Sequence, residues 1–179
     1  RARKESGAPP PWTSDPVIAA WRFCNVDRCD DRETRWIFQN VSAAHRDSPS
    51  LWFNLAVARF VNWSPTLAEL GYFEEWDEGG FVQVMRRLEG EGRKVWTGAY
   101  MIPAGPPGVP KALFLARSVF TPLWESRGQR PSRGAACADW DAFLRRVPCM
   151  GDFLRNQVIT DMKYTADLEG APDWGTFAL

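Results

Sequence analysis

This sequence has no net charge, because 22 Lys and Arg residues balance 22 Asp and Glu. No bulk field therefore draws a polyanion to the surface as a whole. Histidine is nearly absent: His45 stands alone in a polar, turn-like stretch at 42–50, which argues against a Ser-His-Asp site. The four cysteines, Cys24, Cys29, Cys137 and Cys149, form no Cys-x-x-Cys pair and lie apart from His45. Zinc is disfavoured, and without a secreted context the cysteines read as reduced thiols. No apolar run reaches the ~18 residues of a membrane span, and no charged-then-apolar leader opens the chain. No Gly-x-x-x-x-Gly-Lys-Ser/Thr loop cradles ATP phosphates, which counts against a kinase site in these residues.

What remains is an ordinary globular composition, 45% hydrophobic over 179 residues, enough for one domain with a real core. Ten residues are tryptophan, and every cation except Lys4, Lys94, Lys111 and Lys163 is arginine. Arginine offers a planar fork that grips phosphate with two hydrogen bonds and stacks on rings. A GC-rich coding sequence explains the bulk excess equally well, so only arginine position carries an argument.

Polar residues followed by proline, at Asp15-Pro16, Ser48-Pro49, Ser64-Pro65 and Thr121-Pro122, are helix-start signals. Helical spacing follows in Val17, Ile18, Trp21 and Asn25, then in Arg32, Trp36, Ile37 and Val41, then in Leu51, Trp52, Leu55, Ala58 and Phe60. A short fourth helix ends at Gly71. Asp77 caps a fifth that carries Phe81, Val82, Met85 and Leu88 on one face, with Gly90 beyond its end. Residues 95–102 fit either a short strand or a turn of helix, and 103–110 form a loop. A helix over 111–125 is bent or restarted at Pro122. A polar linker at 126–135 leads to helices over 139–147 and 152–162. The pattern predicts an all-α fold of about eight helices, with an extended lead-in at 1–14 and one helical domain over 15–179.

Three constellations carry chemistry. Around 22–36, Arg28, Asp31, Arg32 and Arg35 recur at helical spacing, with Arg22 and Asn25 just before them. They read either as an anion pocket in which Asp31 orients the guanidinium forks or acts as a base, or as a solvated, salt-bridged helix pair. The run 144–159 reads as a helix-hairpin-helix, in which the turn and the second helix's N-terminus, with Gly151, Asp152, Arg155 and Asn156, meet DNA phosphate. Cys149 stands where glycine is usual and Arg155 where a small residue is usual, and a plain αα-corner is the alternative. Beyond it, Asp161, Lys163 and Tyr164 converge, followed by Asp173; helix capping is the competing explanation for the two aspartates.

Five segments, RFCNVDRCDDRETRW, LWFNLAVARFVNWSPTLAELGYFEEWD, VWTGAYMIPAG, FTPLW and GDFLRNQVITDMKYT followed by APDW, resemble one family. It is the α-glutamyl/putrescinyl-thymine pyrophosphorylases, the amino acid:DNA transferases of phage thymine hypermodification. A related helical domain accompanies 5-hydroxymethyluracil DNA kinases. The resemblance runs from about Trp12 to Leu179, and since relatives continue past the Asp-Trp motif with a Gly-Pro-Gly-Ser-like turn and an Arg-rich segment, it implies a truncated C-terminus. It implies a helix-hairpin-helix DNA-glycosylase-like scaffold, in which the catalytic carboxylate of glycosylases falls near Asp173, with Asp161 a nearer candidate. It implies double-stranded DNA bearing modified uracil and a free amino acid or polyamine as partners, no membrane, and the cytoplasm, that of the host cell for a phage protein. The transferase replaces pyrophosphate on 5-(pyrophosphoryloxymethyl)uracil with an amine. On that reading Arg22, Asn25, Arg28, Arg32 and Arg35 hold substrate and pyrophosphate. Asp31 or Asp161 takes the amine's proton, and Lys163 and Tyr164 hold the amino acid or the uracil. No cofactor and no protein-bound metal are expected, although a divalent cation is compatible with pyrophosphate departure. The alternatives are a glycosylase-like hydrolase and a non-catalytic DNA-binding domain that partners a kinase.

Overall fold

The computed structural model describes residues 6–7, 9, 12–17 and 28–177. They fall into two compact units, Arg1–Asp31 and Arg32–Leu179. In the first unit Asp15 behaves as the helix start its sequence predicts: its Oδ1 accepts from the Val17 amide at 2.8 Å. Ile18, Trp21, Arg22, Cys24 and Asn25 lie outside the described residues. The unit closes on a 3₁₀ turn, Arg28–Asp30.

The second unit is all-helical, as the periodicity predicts, and no strand occurs among the described residues. Its helices are α1 (Arg32–Ile37), α2 (Leu51–Val61), α3 (Ser64–Leu70), α4 (Glu78–Gly90), α5 (Lys111–Leu115), α6 (Thr121–Glu125), α7 (Cys137–Leu144) and α8 (Asp152–Met162). None is long and apolar enough to cross a membrane.

All eleven residues of α2 are buried. A helix that is apolar all round belongs at the centre of a fold, and α8, α7 and the aromatic residues of α4 to α6 wrap it. Trp52 meets Trp140 and Phe143 with ring centroids 6.0 and 5.6 Å apart. On the other flank Phe53, Trp76, Phe81, Phe120 and Trp124 make edge-on and tilted contacts at 5.0–6.5 Å. The Trp76 indole N–H is not wasted in this apolar cluster, because it donates to Thr121 Oγ1 at 2.8 Å.

Local chemistry sets several boundaries away from those predicted. α4 starts where Asp77 accepts from the Gly80 amide at 2.9 Å, but it runs through Gly90, and the left-handed glycine beyond it is Gly92, at φ +71°. The helix at 111–125 is continuous but widens to a π-turn at Ala116–Phe120. Pro122 has no amide hydrogen to donate back, and the wider turn absorbs the defect upstream of it. Residues 95–102 form neither strand nor helix. The Thr97 amide reaches α2 at the Val61 carbonyl (3.0 Å), while Val95 and Ile102 plug the core.

Candidate functional site

The most unusual feature of α2 is a buried charge in its last turn. Arg59 is 2% exposed and forms a two-point ion pair with Asp161 of α8, Nε to Oδ2 at 2.5 Å and Nη2 to Oδ1 at 2.7 Å. Its Nη1 donates to Thr34 Oγ1 of α1 at 3.1 Å and to Asn62 Oδ1 at 3.3 Å. The Tyr100 hydroxyl donates to the Arg59 carbonyl at 2.5 Å. One guanidinium thus joins α1, α2 and α8. Its fork supplies five donors in a plane, which is why arginine and not lysine can serve so many acceptors.

Around this pair the surface turns cationic. Arg32 and Lys94 lie 5.1 and 3.9 Å from the Trp63 ring centroid. Cations at these distances are held by the ring's negative face. Glu33, buried beside them, accepts from Arg32 Nε at 2.8 Å and from the Ser64 amide at 2.6 Å, so it caps α3 from another helix. Arg35 is exposed on α1. Arg28 and Asp31 are half-buried and belong to the first unit, one 3₁₀ turn apart, with the Asp31 amide donating to the Arg28 carbonyl at 3.1 Å. The predicted single helical face from Arg28 to Arg35 is therefore broken at Asp31, because α1 begins only at Arg32. Arg22 and Asn25 lie outside the described residues.

The α7–α8 junction has its own arginine. Arg155 is 4% exposed; it binds Asp141 Oδ1 at 2.5 Å, the Met150 carbonyl at 2.9 Å and Asp152 Oδ1 at 2.5 Å. Residue spacing does not reveal this inward placement. The side chain fills the space that a small residue would leave and ties both helices to the turn. Burial pushes the Asp141 carboxyl up, but Arg155 and Arg145 more than offset it and hold it below the usual range. Cys149 adopts φ +64°, the left-handed conformation that favours glycine. Gly151 caps α8, exposed beside Asp152, and half-buried Asn156 accepts through its carbonyl from Thr160 Oγ1 at 2.6 Å.

At the C-terminal side, Lys163 Nζ donates to the Phe177 carbonyl at 3.3 Å and lies 5.5 Å from the Trp174 ring. Tyr164 is exposed and packs edge-on against Trp174. Asp173 is a cap: its two oxygens accept from the Cys137 and Ala138 amides at 2.7 and 3.1 Å. Burial raises its carboxyl, and these amide donors overcome that and lower it. Burial and the neighbouring Asp173 push the Cys137 thiol up to about 11, so it is a core residue and no nucleophile at neutral pH.

Arg59 escaped the sequence reading. The available signal was a lone cation inside LWFNLAVARFV, since a buried charge demands a partner. A cavity of about 320 Å³ on the opposite flank of α2 is lined by Trp36, Asn40, His45, Asn54 and Tyr72 among others. There His45 stacks flat on Tyr72 at 3.6 Å.

A family model described as 5-hmdU DNA kinase, helical domain, matches residues 1–174. The chain is also similar to a 5-hmdU DNA kinase of Bacillus phage SP10, 30% identical over 106 residues. That match covers 54% of this chain but 16% of the relative. No solved structure matches.

Proposed function

Since the chain belongs to the family of 5-hmdU DNA kinase helical domains, we propose that it acts on DNA whose thymine positions carry 5-hydroxymethyluracil or its pyrophosphorylated derivative. The finer reading is amine transfer, of the thymine pyrophosphorylase kind. A C–N bond forms at the exocyclic methylene of the base, pyrophosphate leaves with the C–O electron pair, and the amine gives up a proton. The observation that carries this reading is the Arg59 junction, which ties the arginine-bearing α1 to Asp161 in the last turn of α8, just before Lys163 and Tyr164.

On this reading Arg32 and Arg35 meet the departing pyrophosphate, as guanidinium forks suit a growing oxyanion. Lys163 and Tyr164 hold the incoming amino acid or the uracil. Asp161 spends both oxygens on Arg59, so it is a positioning residue, and the base role passes to Asp31. Gly151, Asp152 and Asn156 present the hairpin to DNA. Arg155 acts beneath them as its internal brace.

One observation favours a second reading. The ion pair that uses up Asp161 leaves the second unit with a framework better suited to holding DNA than to moving protons. On that reading the chain is a non-catalytic domain that presents DNA to a kinase. The test incubates the protein with a duplex bearing pyrophosphoryloxymethyluracil and a pool of amines, then weighs the digested nucleosides. An aminomethyl adduct supports transfer. Intact DNA with measurable binding supports the second reading, and abasic product overturns both in favour of a hydrolase.

A further inference from the structure

The segment 126–135 reads as a mere linker, yet Arg127, Arg130 and Arg133 recur at every third position in it. The 3₁₀ turn Ser126–Gln129 and the extended residues after it turn all three onto one cavity of about 400 Å³, lined also by Pro49, Ser132 and Asp167. All three arginines are exposed. Each is held by a backbone carbonyl: Arg127 Nη1 by Trp124 at 3.2 Å, Arg130 Nη1 by Arg127 at 3.3 Å, and Arg133 Nη2 by Asp47 at 3.3 Å. Arg127 also lies 5.0 Å from the Trp124 ring centroid. A carbonyl orients a guanidinium without cancelling its charge, and most of the fork's five donors stay available.

Five other exposed arginines are neutralised by carboxylates, whereas exposed Arg86 and Arg146 form no ion pair among the described residues either. Arg46 pairs with Glu169, Arg87 and Arg93 with Glu69 and Glu91, Arg117 with Glu78, and Arg145 with Asp141. Among the described residues none of Arg127, Arg130 and Arg133 forms an ion pair. Asp167 is the one carboxylate lining the cavity; burial raises it, against the pull of Arg133 and Arg130, so one carboxylate faces three guanidinium groups. Arg146, next to the α7–α8 turn, reaches Gln129 Oε1 at 3.5 Å and extends the cationic rim towards that turn. A chain of zero net charge thus keeps a local excess of positive charge, preorganised by backbone and open to solvent.

We infer that Arg127, Arg130 and Arg133 form a phosphate-binding arch that grips the phosphodiester backbone of DNA. Naming DNA as the source of the phosphate rests on the function proposed above. The arch reads no sequence and no base modification, since phosphate contacts fix position and carry no base information.

The test measures binding of the full chain to a labelled duplex, with and without 5-hydroxymethyluracil, by fluorescence anisotropy from about 50 to 200 mM salt. It compares the wild type with R127A/R130A/R133A, whose fold is checked by circular dichroism. Each phosphate contact adds about 0.9 to the steepness of log affinity against log salt. The triple variant is expected to bind at least about tenfold more weakly at the lowest salt and to show a slope shallower by about 2 to 3, equally on both duplexes. The triple lysine variant, which keeps the charge, is expected to retain most of the slope. An unchanged slope in the alanine variant would overturn the arch and leave the DNA reading standing. A wild type that binds no duplex would overturn both. Calorimetry with inorganic pyrophosphate separates the sources: loss of pyrophosphate binding with DNA binding intact would transfer the site to a free anion and refute the backbone assignment.

Discussion

Arg59 and Arg130 carry the same guanidinium into opposite settings. Arg59 is enclosed by α2, α8 and α1, with a carboxylate on two of its nitrogens and hydroxyl and amide oxygens on the third. Arg130 stands in solvent, held by one carbonyl, and forms no ion pair among the described residues. In the first setting the charge is consumed by the fold and fixes how three helices meet. In the second it costs the fold almost nothing and stays available to a partner. Arginine content alone, or net charge alone, cannot separate the two, and here they coexist in one balanced sequence.

The contrast breaks most sharply at the buried pair. Removing either partner strands an uncompensated charge, so Arg59→Ala or Asp161→Ala is expected to cost about 3 to 5 kcal/mol in chemical denaturation. The double change Arg59→Met with Asp161→Leu is expected to recover most of that loss. If the single substitutions cost under about 1 kcal/mol, the pair does not organise the helices as described. The exposed arch should answer in the opposite way: R127A/R130A/R133A is expected to move stability by no more than about 0.5 kcal/mol per site while weakening DNA binding.

A smaller effect is expected at Asp173, whose carboxylate caps α7 from outside the helix. Asp173→Ala should cost about 1 to 2 kcal/mol, read as a lower denaturation midpoint. Asp141 and Asp173 also fix the sign of the acid response. Both carboxyls are lower in the folded state than in the unfolded chain, so the unfolded state takes up protons first as pH falls. Their stabilisation is complete above the unfolded value of about 4 and is lost as pH drops through the lower folded values. Stability measured from about pH 5 down to pH 2 should therefore fall, and Asp141→Asn should flatten that slope. The smallest expected change is a gain: Cys149→Gly relieves a left-handed residue and should add about 1 kcal/mol.

Helix identity was legible because apolar spacing and capping residues are local. Asp15 and Asp77 cap as read, and the burial of Leu51, Trp52, Leu55, Ala58 and Phe60 follows their pattern. What escaped depended on distant partners. α7 begins at Cys137, two residues before Asp139, because Asp173 supplies acceptors from 36 residues further on. Arg155 turns inward because Asp141 and the Met150 carbonyl wait there. The α1 face ends at Arg32 because a 3₁₀ turn, not a helix, precedes it.

Composition and periodicity by themselves determined that this chain is helical and which segments form its main helices. Tertiary structure alone decided that the counter-ion of Arg59 is Asp161, 102 residues away, and that three arginines of a polar connector converge on one cavity. The physical reason is range. Backbone propensity and capping act within a few residues, whereas the pairing of charges is settled only when helices pack and water is excluded between them.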